Sequence, residues 1–314
     1  MTTTATSTYA ITHNTHLEGW FYGFLGVLGF SLTLPATRMA VASLDPLIVG
    51  LGRGVIAAML AAPLLWITSQ KFPTAPQWRS IFIVFIGAVV GFPLLSAWAM
   101  RMVPSSHGAI LLGLLPLATA IAGTLRAHER PSRAFWIASL LGSVTVVGYA
   151  YSQGGGTLQL ADLALLAAVV MAALSYAEGA RVARELGGWQ VICWALVLAA
   201  PILIGPFIYA LWEHGIAQAT TASWVGFFYI GIVSMFLAFF AWYRGLAVGG
   251  VARVSQLQLL QPFLTLMFSA MFLGETFGAN AMLAAALVGF AIIVSRRTHI
   301  AFIRHRNISP GTGH

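Results

Sequence analysis

Few side chains in this sequence could do chemistry, and those few stand where a polar group is costly. Glu178, within Leu174-Ser175-Tyr176-Ala177-Glu178, is the one acid deep inside a long apolar run. An ionisable group at the centre of a bilayer costs about 3 kcal/mol or more, so it needs either a partner or a use. Arg181 follows at i+3, the spacing of an ion pair along a helix. Coupling to protons or cations is the competing use, and Tyr176 in the same stretch joins Glu178 as a candidate substrate contact. A second set, Gln258, Gln261 and Thr265, recurs at i, i+3 and i+7 beside Pro262. That spacing puts the three on one helical face. Amides at such depth either hold helices together or line a cavity, where a proline-broken turn needs polar neighbours. Ser31 and Thr33 lie at a suitable depth in the first apolar run to complete such a site.

Other chemistries have no residues to carry them. The sequence contains no HExxH, GxSxG or GxxxxGK[ST] pattern, and its histidines are scattered mostly through tails and loops. His107 has no second His or Cys placed to complete a metal site. No catalytic residue, metal or cofactor is therefore expected. The lone Cys193 excludes an intrachain disulfide.

The elements that must position these residues follow from composition. Of the 314 residues 59% are hydrophobic and 8% charged, against about a quarter charged in soluble domains. The expected class is an all-α integral membrane protein. Ten apolar runs lie near 19–37, 46–68, 78–100, 105–125, 134–151, 160–180, 189–211, 223–243, 251–273 and 279–295. Each approaches the ~20 residues that cross a bilayer as a helix, and lipid leaves an open strand edge no partner. The net charge of +8 is spread singly between these runs, which reads as topology and not as a nucleic-acid face. With the N-terminus inside, thirteen Lys and Arg fall on the cytoplasmic side and three (Arg38, Arg53 and Arg101) on the other. Both termini are then cytoplasmic, and the expected location is the inner (plasma) membrane.

The chain also repeats itself. Residues 98–132 and 244–278 superpose at an offset of 146, which sets Pro116 on Pro262, Thr119 on Thr265 and Glu129 on Glu275. Expected boundaries are a disordered tail over 1–17, a first repeat over 18–152, a linker over 153–159 containing Gly154-Gly155-Gly156, a second repeat over 160–297 and a basic cytoplasmic tail over 298–314. Five helices per repeat is an odd number, so the halves are inverted in the membrane, as in many secondary transporters. The junctions before the fourth and ninth runs then lie at opposite surfaces. Trp98, Arg101 and His107 at the outer one, with Trp242, Tyr243 and Arg253 at the inner one, are candidate gates or interface anchors.

These residues resemble a known group. The run Trp242-Tyr243-Arg244-Gly245-Leu246-Ala247, then Leu259-Leu260-Gln261-Pro262 and Leu273-Gly274-Glu275, is similar to the EamA-like family of the drug/metabolite transporter superfamily. The first half keeps Pro104, Leu114-Leu115-Pro116 and Glu129, with His128 where the family usually has Gly; Arg53 also matches a family habit. The resemblance implies ten helices around a central cavity lined mainly by the first, third, fourth, sixth, eighth and ninth. It implies a small-molecule substrate, with Pro116, Pro262, Glu129 and Glu275 as helix-shape and helix-end residues. The resulting expectation is a secondary transporter working by alternating access, an exporter of an amino acid or related compound. Its rivals are an uptake permease for a vitamin-like or organic-cation substrate of the riboflavin class, a membrane-embedded enzyme and a sensor. The lipid bilayer is an expected partner; a proton gradient and a homodimer stay open.

Overall fold

The computed structural model describes residues 4–103, 108, 111–126, 129–152, 159–273, 287 and 300–302. Among them six helices are long and apolar enough to cross a membrane: α1 (Leu17–Val41), α2 (Pro46–Ile67), α3 (Ala75–Met102), α6 (Leu160–Leu186), α7 (Gly188–His214) and α8 (Thr221–Gly249). Between α3 and α6 lie α4 (Leu115–Arg126) and α5 (Arg133–Ser152). After α8 come a short α9 (Val251–Ser255), a 3-10 segment (Gln256–Leu260) and α10 (Gln261–Leu273). Apart from Leu287, the apolar run near 279–295 lies outside the described residues, as do the junction residues Pro104 and His107. One departure from helix is a short antiparallel pairing of β1 (Glu129–Pro131) with β2 (Ile300–Phe302), which joins the start of the expected tail to the connection between α4 and α5.

Prolines set where these helices break. Pro35 has no N–H to offer the Ser31 carbonyl four residues earlier, and helix α1 duly stops at Ser31 and resumes at Thr33. Thr265 of α10 donates its hydroxyl to that orphaned Ser31 oxygen at 2.5 Å, and Gln261 reaches the adjacent Phe30 oxygen at 3.4 Å. Pro262 likewise cannot serve the Gln258 carbonyl, and the chain tightens into its 3-10 segment just ahead of it. Pro116 follows a turn at residues 113–114, so both repeats break at the equivalent place. The third and eighth helices each widen into a π-helical stretch, Phe85–Gly91 and Tyr229–Leu237, again at matching repeat positions. Such stretches often sit beside functional sites.

Helix α1 lies against the end of α8 through glycines. A Cβ on Gly19 would stand 2.4 Å from the Gly249 Cα, and one on Gly245 would stand 2.5 Å from the Gly23 nitrogen. Only hydrogen fits there, so the Gly19…Gly23 and Gly245…Gly249 pairs bring two backbones together in the way small residues do in membranes. The outer surface carries Met59, Ile202, Ile208, Val225 and Leu237, a lipid-facing skin, with Trp66 and Trp212 exposed at helix ends. Ion pairs stand at the ends of the bundle. Asp45 pairs with Arg101 at 3.3 Å at one end, and Glu18 pairs with Arg244 at the other.

Candidate functional site

At the middle of the bundle is a cavity of about 20 Å³, space for roughly one water, so the helices are drawn in tightly around it. Phe30 and Thr33 of α1, Arg53 of α2, Ala88 and Phe92 of α3, Leu112 and Leu115 near the start of α4, Ala172 and Tyr176 of α6, Ser234 and Phe239 of α8 and Gln261 of α10 line it. Several linings are repeat mates. Phe30 and Tyr176, 146 positions apart, stack with ring centroids 6.3 Å apart across the two halves. Ala88 matches Ser234, and Leu115 matches Gln261, at the same offset. The cavity is thus built on a symmetric frame but is chemically lopsided, polar where the second repeat contributes Ser234 and Gln261.

Its polar wall is one connected set. Thr33 Oγ1 and Ser234 Oγ are 2.8 Å apart, and Arg53 Nη2 donates to Ser234 Oγ at 3.2 Å. Ser234 takes this place because the π-helical stretch of α8 packs along α2, where Gly231 lets Ile56 approach closely. The Arg53 guanidinium is 2% exposed, and its Nε and Nη1 find no hydrogen-bond partner among the described residues. Counting charges had put Arg53 on the outer side. It stands instead seven residues into α2, about 10 Å along the helix, inside the bundle. It is a charge held within the bundle and not one of a loop between helices.

The other residues singled out in the sequence divide sharply. Tyr176, Thr33 and Gln261 line the cavity. Ser31 is fully buried and bonds back to the Val27 carbonyl, and Thr265 serves the broken turn of α1. Gln258 is buried away from the lining, and neither its amide oxygen nor its nitrogen has a partner among the described residues. Glu178 does not reach the cavity. It accepts from Ser80 Oγ at 2.7 Å, from Arg126 Nε at 2.9 Å and from Arg181 Nε at 2.9 Å, and so clasps α3, α4 and α6 at one end of the bundle.

The gate residues divide as well. Trp242 and Tyr243 are fully buried. Trp242 meets Phe30 and Tyr176 edge-on at 6.0 and 5.4 Å, and Tyr243 OH donates to the Ser175 carbonyl at 3.3 Å. The Tyr243 ring lies directly on Gly179, where no Cβ would fit. Neither ring lines the cavity; Trp242 packs behind its lining residues Phe30 and Tyr176. Trp98 and Arg101 are exposed, with Arg101 on Asp45. His107 lies outside the described residues.

Glu129 makes a contact that no local pattern announced. Its carboxylate, 1% exposed, accepts from the backbone N–H of Val251 and of Ala252 at 2.7 Å each. These are the first two residues of α9, so Glu129 caps a helix of the other repeat. Burial pushes the Glu129 carboxyl up and the two N–H donors pull it back. Arg253 of α9 is close enough to add a favourable charge. Gly123, against Val251, lets α4 and α9 close on each other.

A helical bundle duplicated about a central cavity has close counterparts. The EamA-like transporter family matches the sequence twice, over residues 17–151 and 159–297. The chain belongs to this family. It is similar to an uncharacterized transporter, YdeK, of Bacillus subtilis (strain 168), with 44% identity covering 90% of this chain and 99% of the relative. A probable terminal-alkyne amino-acid exporter of Streptantibioticus cattleyicolor is 26% identical over 87% of this chain and 85% of its own length. A solved crystal structure superposes with a TM-score of 0.73 at 18% identity, covering 88% of this chain and 97% of that one, which supports the fold. As an EamA-like protein the chain is a transporter and not an enzyme, and it is a multi-pass membrane protein.

Of the residues singled out in the sequence, Thr33, Tyr176 and Gln261 line the cavity, whereas Arg53 reads there only as an outer-side charge and a family habit. The signal was present, since an Arg well inside an apolar run is as unusual as Glu178. It was absorbed by a charge count that treats every basic residue as a loop residue.

Proposed function

We propose that the protein is an inner-membrane secondary transporter that exports an amino acid or a related compound by alternating access. The observation that carries this reading is the cavity where the two halves meet, walled by Thr33, Arg53, Ser234 and Gln261 on one part and by Phe30, Phe92, Tyr176 and Phe239 on the rest. A few fixed polar groups in an apolar enclosure orient one class of small solute. The amino-acid exporter among the relatives supports the substrate class. In this reading the chain has ten spans as two inverted five-helix repeats, 18–152 and 160–297, with both termini cytoplasmic on the strength of the charge bias. The buried pair Trp242 and Tyr243 closes the inner mouth, the Glu129 cap on α9 holds that closure, and opening them exposes the cavity to the cytoplasm.

Glu178 serves in this account as an ion-paired clasp between helices, since it has three partners and none of them lines the cavity. The vitamin-like or organic-cation alternative suits the aromatic walls but sets a cation against Arg53. The test is counterflow in proteoliposomes preloaded with unlabelled solute. Labelled amino acids are expected to accumulate. Movement of riboflavin or an organic cation alone, or of no solute at all, overturns the reading.

A further inference from the structure

We infer that Arg53 is the carboxylate anchor of the cavity, and that the substrate is a small carboxylate, with or without an α-amino group, on an apolar or aromatic body. The inference rests on the transporter reading above and narrows it to one recognition chemistry. An arginine offers five N–H donors in a flat fork. Here Nη2 is held by Ser234 at 3.2 Å, while Nε and Nη1 are buried without a partner among the described residues. A buried cation held this way is costly unless an anion meets it. The unused donors belong to a side chain that lines the cavity, and an arginine fork pairs best with a planar carboxylate through two parallel bonds. Ser234, itself 2.8 Å from Thr33 Oγ1, fixes the guanidinium from one side, which aims the unused donors.

The rest of the lining says what the carboxylate is attached to. No acid lines the cavity among the described residues, so no built partner competes for Arg53 and none attracts an organic cation. Phe30, Phe92, Tyr176 and Phe239 offer ring surface to an apolar body, and ring faces can receive an ammonium group too. At about 20 Å³ the cavity is contracted, so binding must draw the walls apart, with the carboxylate taking the place of the missing charge partner.

The test uses three probes that share a phenyl body: L-phenylalanine, 3-phenylpropionate and phenethylamine. Binding to the purified full-length protein is read by equilibrium titration and by the melting temperature, which any ligand of the folded state raises. Both acids are expected to bind and phenethylamine is not. An affinity gap between the two acids measures the ammonium's share and supports the anchor in either direction, since both carry the carboxylate. Arg53→Gln is expected to weaken both acids at least tenfold. Its ligand-free melting temperature should be equal or higher, because the variant removes an uncompensated charge. Arg53→Lys, which keeps the charge and loses the fork, should fall between. Should Arg53→Gln fail to fold, the comparison of probes on the wild type still decides. Equal binding of phenethylamine, no binding of either acid, or unweakened acid binding by Arg53→Gln overturns the anchor. Counterflow of amino acids that persists unweakened in Arg53→Gln would leave the transporter reading standing and remove the anchor alone.

Discussion

Gly245→Val is expected to abolish recovery of folded protein, while Gly205→Val leaves the yield unchanged. The two residues are alike in sequence terms, each a glycine within a long apolar helix. They differ in what a side chain would meet. At Gly245 a Cβ falls 2.5 Å from the Gly23 nitrogen and 2.9 Å from its Cα, whereas at Gly205 nothing lies within 4 Å. Atoms of a neighbouring backbone cannot rotate aside as a side chain can, so α1 must move away from α8. That separation also strips Gly19 from Gly249 and Gly26 from Trp242, which share the same seam. Helices in lipid are held by close packing, since surrounding tails are as apolar as the side chains. A gap of even 1 Å forfeits a large part of every contact along it. Size-exclusion profiles of the detergent-solubilised variants are the check. A monodisperse Gly245→Val protein at wild-type yield would show that the seam can open without loss.

The second large effect is at Trp242. Trp242→Ala is expected to cost about 3–5 kcal/mol, the range for deleting a large buried aromatic, and to lower the melting temperature by roughly 10 °C. Trp98→Ala, two residues from the matching place in the first repeat, should produce a far smaller change. Trp242 is fully buried between Phe30 and Tyr176, whereas Trp98 is 37% exposed. Its repeat mate is not Trp98 but Ser96, 146 positions earlier. If Trp242 is the inner closure, its removal also leaves a void beneath the cavity and raises passive leak of substrate through reconstituted vesicles. Equal thermal losses for the two tryptophans would place both in comparable packing and contradict this assignment.

How far these features could be read from the residues varies with the kind of signal. The glycine seam is written in the sequence as the two small-xxx-small pairs Gly19…Gly23 and Gly245…Gly249, because that packing depends on residue size alone. The breaks ahead of Pro116 and Pro262 were visible for a similar reason, as a missing N–H acts locally. The polar stripe Gln258, Gln261 and Thr265 was seen as one face, yet its three members do different things. Thr265 answers an orphan carbonyl created by Pro35, 230 residues earlier. Only the fold brings the two together. Glu129 looked like the end of its own helix and turned out to cap α9, since its partners are backbone N–H groups that carry no sequence signature. Glu178 reads from Arg181 alone as a local ion pair, with coupling as the competing use; Ser80 and Arg126, from two other helices, complete its set of partners. Phe30 and Tyr176 stack at the repeat offset, but they differ in type and so did not register among the identities that revealed the repeat.

The symmetry gives the frame and its violations give the chemistry. Ala88 and Leu115 keep one wall apolar where Ser234 and Gln261 make the other polar, and Arg53 has Ala199 as its counterpart. A transporter that must bind one solute from either side needs both properties: halves alike enough to exchange shapes, and a site different enough to orient what it carries. Alternating access requires that this cavity be reached from each face of the membrane in turn. The direct measurement places a thiol at Ala172, a small lining residue, in a Cys193→Ala background that removes the natural cysteine. A membrane-impermeant thiol reagent is then applied to right-side-out and to inverted vesicles. Labelling from both faces, slowed by transported substrate, is the predicted result; labelling from neither face, or from one alone, contradicts alternating access through this cavity.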